Sequence, residues 1–156
     1  MPELESFHEI VFDAAPVAMF VVDRDMGIID FNMAAAKLTY PVVTEALRPM
    51  TGEVLRCVHA NAGCGDSAAC RTCVIQKSVR ASFDGAHICR RAALMTLRQG
   101  GDAVNFEFLV TTAPFQDGEE RLALLALEDL TELESLRERA RGQRGRRCIL
   151  GAGGAA

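Results

Sequence analysis

Four cysteines fall within seventeen residues, Cys57, Cys64, Cys70 and Cys73, in the spacing C-x6-C-x5-C-x2-C. Four thiolates this close in sequence can converge on one centre. Cys70 and Cys73, three apart, share one side of a helix start or tight turn. Gly63 and Gly65 flank Cys64 and permit a bend that lets amide N–H groups approach sulfur. Asp66 and Ser67 are placed to cap a helix beginning near Ala68–Arg71, whose positive end would face the thiols. Arg56 and Arg71 add charge of the same sign, so lowered thiol pKa values are expected. Such a set suits an iron–sulfur cluster first, then structural zinc, then a thiol/disulfide switch; packed free thiols are the plain alternative. Zinc ribbons and knuckles favour two short Cys-x-x-Cys turns, and only one pair here is that short, which tilts the expectation toward a cluster. Spacing does not separate a 2Fe-2S from a 4Fe-4S cluster. His59, two residues after Cys57, could replace one cysteine or hydrogen-bond to a ligand sulfur; a solvated or core-edge histidine is the preferred reading.

The remaining candidates carry less. Cys89 is expected as a small core residue of a strand, and Cys148 as an unspecific residue near the C-terminal end. His8 and His87 have no ligand-spaced neighbour and read as structural. No nucleotide-binding loop, nucleophile elbow, zinc-protease motif, kinase motif or phosphoacceptor helix is present, so a non-enzyme is expected. Glu128 and Asp129 are adjacent on an expected strand and point to opposite faces.

The 156 residues suit one domain. The apolar fraction is 49% and the charged fraction 24%, as in an ordinary soluble globule. No apolar run approaches the roughly 20 residues of a membrane span, and the acidic N-terminus lacks a signal-peptide layout, so a cytoplasmic protein without membrane contact is expected. The net charge of −4 is unevenly spread, with −9 over residues 1–136 and +5 over 137–156. An acidic body makes nucleic-acid binding a poor expectation, and the Arg-rich end reads as a solvated tail.

The elements that must position the cysteines follow from periodicity. Glu3–Ala15 reads as a helix ended by Pro16, Val17–Asp23 and Ile28–Asn32 as a hairpin around Asp25-Met26-Gly27, and Met33–Thr39 as a helix with Asn32 as N-cap. Thr44–Ala60 is expected to be helical with an interruption at Pro49–Gly52. Arg71–Phe83 is expected as a helix stopped by Asp84-Gly85. Ile88–Arg98 is a strand candidate. Val104, Phe106, Phe108 and Val110 alternate at strand spacing, and Arg121–Leu127 forms a last strand. Leu130, Leu133 and Leu136 open an amphipathic exit helix. These elements give an α+β fold: five antiparallel strands with helices on one face. The expected division is an N-terminal helix over 1–16, a core over 17–129, an exit helix over 130–141 and a flexible tail over 142–156.

FDAAPVAMFVVDRDMGIIDFNMAAAKLT (12–39) and LLALEDLTELESLRE (124–138) carry a resemblance to the PAS sensory domains of bacterial signal-transduction proteins. The first resembles the PAS opening of helix, Ala-Pro boundary, hairpin and Asn before a helix. The second resembles the closing strand with its Asp-x-Thr unit, here Asp129-Leu130-Thr131, before a signalling helix. The resemblance covers roughly residues 5–138. It implies a five-stranded PAS sheet and a sensing role upstream of a histidine kinase or other output protein, as in two-component systems. The segment from Gly52 to Cys73 also resembles a Cys-rich insertion of some PAS sensors, which implies an iron–sulfur or other metal-binding type. The flavin motif is missing, the covalent-haem motif fails at Val74, and His87 is poorly placed as a haem ligand. Redox or diatomic-gas sensing through Cys57, Cys64, Cys70 and Cys73, relayed by the exit helix in a homodimer, is the expectation these features combine to give.

Overall fold

The computed structural model describes residues 2–39, 49–60 and 63–150. Its elements are α1 (Pro2–Ala14), β1 (Ala18–Val22), β2 (Ile28–Phe31), α2 (Met33–Thr39), α3 (Thr51–Val54), a 3-10 helix (Ala68–Thr72), α4 (Val74–Phe83), β3 (Ile88–Gln99), β4 (Asp102–Asp117), β5 (Glu120–Asp129) and α5 (Thr131–Leu150). The strands form one antiparallel sheet in the order β2-β1-β5-β4-β3. The first and last strands in sequence are thus neighbours at its centre, and β3 forms an edge.

Alternation along the strands decides which face is covered. Phe20 and Val22 of β1, Phe108 and Val110 of β4, and Leu125 and Leu127 of β5 are all buried on one face. Ile75, Val79 and Phe83 of α4 belong to the same core. Their spacing of four residues puts them on one stripe of the helix. Each such side chain contributes roughly 1.5–3 kcal/mol by leaving water. Within this apolar layer α4 is keyed to β4 by polar bonds: Ser82 Oγ donates to Thr112 Oγ1 at 2.7 Å, and Thr112 Oγ1 donates to the Ser78 carbonyl at 3.1 Å. The expected aromatic face is realised by Phe106 and Phe108, whose rings stack 5.8 Å apart.

Turn chemistry sets the register. β3 and β4 pair Gln99 with Asp102, leaving Gly100 and Gly101 as a two-residue loop with φ of 56° and 92°. Two successive positive φ values match the right-handed twist of a hairpin, and glycine reaches them without strain. At the other end of the sheet, Asn32 holds three segments together. Its Oδ1 accepts from the Met19 and Ala35 amides, and its Nδ2 donates to the Phe12 and Val17 carbonyls at 3.0 and 2.9 Å. It therefore caps α2, as expected, and also ties α1 to β1.

Several expectations are corrected. Helix over Thr44–Ala60 reduces to α3, which begins at Thr51 and contains Gly52; residues 40–48 lie outside the described ones. Chain beyond Leu55 is drawn instead into turns that reach the sheet edge. The exit helix does not stop at 141. It runs to Leu150 through Gly142 and Gly145, because each glycine costs a helix only about 1 kcal/mol and the Arg-rich residues between are good helix formers. Of the expected tail, only 151–156 lies outside the described residues. Cys89 is exposed rather than in the core, since its strand neighbour Arg90 takes φ of 50° where the β3–β4 register breaks.

Asn32→Ala strands at least four buried backbone groups at once. We expect a loss of about 3 kcal/mol in urea unfolding. A loss below about 1 kcal/mol would show that α1 and β1 do not depend on this side chain.

Candidate functional site

The cysteine segment has little regular structure, so its hydrogen bonds show what holds it. After α3 the chain turns at Arg56, whose φ is 57°. The Cys57 amide donates back to the Gly52 carbonyl at 2.8 Å. Residues 56–58 then pair with the edge of β3. The Arg98 amide donates to the Arg56 carbonyl at 2.9 Å, the Val58 amide donates to the Thr96 carbonyl at 3.1 Å, and Cys57 bridges Leu97. Cys57 is thereby fixed to the sheet.

Cys64 is fixed by a glycine bend. Gly63 and Gly65 have φ of 100° and 101°, as their position on either side of Cys64 suggested. A third glycine, not singled out by the sequence reading, makes the space. A Cβ on Gly52 would lie 2.8 Å from Cys64 Sγ. The Gly52 amide also donates to the Cys64 sulfur.

Cys70 and Cys73 are carried by the approach to α4. Ser67 rather than Asp66 is the cap: its Oγ accepts from the Ala69 amide at 3.2 Å and its carbonyl from the Cys70 amide at 3.0 Å. Cys70 lies in the 3-10 helix, and Cys73 stands at the N-cap of α4, where its carbonyl accepts from Lys77.

These three supports bring Cys57, Cys64, Cys70 and Cys73 to the wall of one cavity of about 220 Å3. His59 lines it too, and β3 closes one side through Ala93–Thr96. Arg56 and Arg71 do not line it. Cys89 lies elsewhere, on β3. His8 and His87 are exposed and outside the cavity.

The electrostatics reverse the expected direction. Burial pushes the Cys57 thiol up, and the neighbouring Cys73 and Cys70 push it further; the His59 amide opposes them by donating to its sulfur. Burial likewise raises Cys64, opposed by the Gly52 amide and reinforced by Cys70, Cys73 and Cys57. Desolvation outweighs the amides because a thiolate at either position gives up part of its water. Cys57 and Cys64 lie close enough to Cys70 and Cys73 for their charges to interact.

The described residues contain no group of three or more His, Cys, Asp or Glu side chains arranged to hold a single metal ion. A tetrahedral zinc would need all sulfurs about 2.3 Å from one point. Convergence on a common cavity without closure on one point leaves room for a larger centre. The donor chemistry fits a thiolate-ligated cluster: four sulfurs and two amides directed at sulfur.

For the metal-free chain, the sign of the pH effect follows from the raised thiols. Folded Cys57 and Cys64 hold their protons more tightly than in the unfolded chain, so their contribution is complete below the ordinary thiol pKa and is lost as pH rises through the folded values. Urea midpoints should therefore fall from pH 8 to pH 10. A Cys57→Ser, Cys64→Ser double variant should show a shallower fall; an equal slope would contradict this account of the cavity.

Residues 6–73 match a family model described as PAS domain, a span that includes all four cysteines. No curated protein matches the chain in sequence. Among solved structures, the chain is similar to the PAS domain of HTR-like protein from Haloarcula marismortui, at 20% identity and a TM-score of 0.51 over 83% of this chain and 99% of that one. It is similar to the PAS domain of nitrogen regulation protein NR(II) from Vibrio parahaemolyticus, at 13% identity and TM-score 0.55, over 78% of this chain and 96% of that one. The PAS domain of Bordetella pertussis BvgS gives 17% identity and TM-score 0.52, over 92% and 98%. At these identities the structures speak to the fold alone. No helix among the described residues is long and apolar enough to cross a membrane. The family match over residues 6–73 and the five-stranded antiparallel sheet give this chain a PAS-like fold.

Proposed function

We propose that this PAS-like domain is a sensory module of a signal-transduction system whose input is received at Cys57, Cys64, Cys70 and Cys73. These residues would hold an iron–sulfur cluster. The single observation that carries the reading is the convergence of all four thiols on one cavity between α4 and the edge of β3. When bound, such a cluster supplies a centre that changes with redox state or on reaction with a diatomic gas. The PAS domain of a nitrogen regulation protein shares the fold, which agrees with a role in regulation.

The residues of this chain supply the rest. Gly52 and His59 direct amides at two of the sulfurs and so favour their ionised form. Residues 56–58 carry any displacement of Cys57 to the β3 edge. The β3, β4 and β5 ladder leads from there to α5. At that junction the Leu130 amide donates to the Glu107 carbonyl at 2.8 Å, the Glu107 amide to Thr131 Oγ1 at 3.2 Å, and the Thr131 amide to Asp129 Oδ1 at 2.9 Å. The exit helix is therefore hydrogen-bonded to the middle of β4, not merely attached to β5. Leu133 and Leu136 of α5 are exposed and suit a contact with a second copy, through which a histidine kinase or other output would be addressed. The bound centre must favour one of two domain states, or nothing is transmitted.

Protein prepared without oxygen should be coloured, absorb in the visible, and contain iron and acid-labile sulfide; Cys64→Ser and Cys70→Ser should each lose most of both while retaining the unfolding transition. A colourless protein with one equivalent of zinc would replace the cluster by a structural staple. A colourless, metal-free protein after anaerobic reconstitution would remove the inorganic reading.

A further inference from the structure

The far part of α5 puts a helix where a solvated tail was expected. Residues 137–147 hold six arginines, at 137, 139, 141, 144, 146 and 147, and one acid, Glu138. All of them lie in the continuous helix. Residues 136–142, about two turns, are all exposed, so no side of α5 is covered by the domain there. Arg137 pairs with Glu134 at 2.8 Å, one turn back. Arg139 and Arg141 have no ion pair among the described residues, and no acidic side chain follows Glu138 in the sequence. Such a helix is held against its own composition. Arg137 and Arg141 are four apart, where like charges oppose a helix, and Gly142 and Gly145 weaken it further. The helix dipole offsets cations only in the last turn, and these begin well before it.

The arrangement of the charges selects the partner. At about 3.6 residues per turn, Arg137 and Arg141 share one side of α5 and Arg139 takes the opposite side. A flat anionic surface meets cations on one side only. Ala140 is the one apolar side chain between 137 and 147, so this stretch has nothing to place in a lipid layer. A groove with phosphates on both walls meets both sides. The major groove of B-DNA, about 12 Å wide, admits an α-helix of about 10–12 Å, whereas the major groove of A-form RNA is deep and narrow. Guanidinium groups suit phosphate oxygens because they donate to them in pairs. The acidic body, with −9 over residues 1–136, does not forbid such a partner. At about 1.5 Å per residue, Arg141 stands about 15 Å and Arg147 about 24 Å along the axis from Thr131, beyond the screening length of about 8 Å at physiological salt.

We propose that the arginine-bearing end of α5 is a binding arm for double-stranded DNA. It lies in the major groove, engages the phosphates of both walls and reads no base sequence. The arm contains none of the four clustered cysteines, so the inference does not depend on what their site holds.

The test is fluorescence anisotropy of the full chain with a labelled DNA duplex of about 20 base pairs, from about 50 to about 200 mM salt. Binding is expected at the lowest salt, with a slope of log affinity on log salt of about −3 to −5. An RNA duplex of the same length, and vesicles of phosphatidylcholine with phosphatidylserine, should each bind more weakly by about tenfold or more. The Arg139→Gln, Arg141→Gln double variant should flatten the slope by about two. Gly142→Pro keeps every arginine and breaks α5. A Cβ at Gly142 meets nothing within 4 Å, so the unfolding transition of the domain should be kept while DNA binding falls by about tenfold. The proposal is overturned if the duplex does not bind at the lowest salt, if RNA or vesicles bind as well as DNA, if the double variant keeps the original slope, or if Gly142→Pro binds like the original chain. Iron and sulfide are measured separately, so failure here leaves the cluster reading standing, and the reverse.

Discussion

The short pairing of residues 56–58 with the edge of β3 is the interaction on which the site depends. The described residues from Leu55 to Cys73 include the 3-10 helix Ala68–Thr72 and no strand of their own. A stretch of this kind pays the full backbone ordering cost, of about 1–2 kcal/mol per residue, with few repeating bonds to offset it. Two hydrogen bonds to β3 and one back to Gly52 place its first cysteine against the sheet. They also cover part of a sheet edge that would otherwise present unpaired backbone groups. The positive φ at Arg56 is the local strain accepted in making that turn.

From this anchor the other sulfurs are placed by different means, and their chemistry follows. Cys64 depends on the absence of side chains at Gly52, Gly63 and Gly65, while Cys70 and Cys73 depend on the entry to α4. Three independent supports can bring four thiols to one cavity without forcing them onto one point. The cost is desolvation: burial favours the neutral thiols of Cys57 and Cys64 over their thiolates. Amides at Gly52 and His59 recover part of the loss. The arrangement is therefore poor for a free reactive cysteine, which wants an exposed and electropositive setting. A positively charged centre shared by the four sulfurs would reverse the balance, because it stabilises the ionised form that burial disfavours.

Much of the scaffold was legible in the sequence. All five strands were expected, β4 from the alternation of Val104, Phe106, Phe108 and Val110, while Asn32 marked the start of α2 and Asp129-Leu130-Thr131 marked the passage into α5. The four cysteines and the two glycines around Cys64 announced a shared site. Other parts were hidden for physical reasons. Helical periodicity misled over Leu55–Ala60 because the chain beyond α3 is captured by a distant strand, a tertiary contact that local pattern does not encode. The sign of the thiol shifts was misjudged because sequence shows nearby arginines and not burial. Gly52 was read only as a helix interruption and as the start of the Cys-rich segment, since its approach to Cys64 is a tertiary contact that local pattern does not encode.

The same geometry limits how the site can communicate. Cys57 moves with β3, whereas Cys70 and Cys73 move with the start of α4. Any change in the spacing of the sulfurs must therefore alter the position of α4 against the sheet, or else break the pairing at 56–58. The first is resisted by Ile75, Val79 and Phe83 and by the bonds from Ser82 to Thr112 and from Thr112 to the Ser78 carbonyl, all of which key α4 to the sheet. The second costs two exposed-edge hydrogen bonds, about 0.5–1.5 kcal/mol each. The weaker link is the pairing at the edge. Release of that edge, rather than movement of α4 across the core, is the route by which the cysteine segment can act on β3 and β4, and through Glu107 on the first turn of α5.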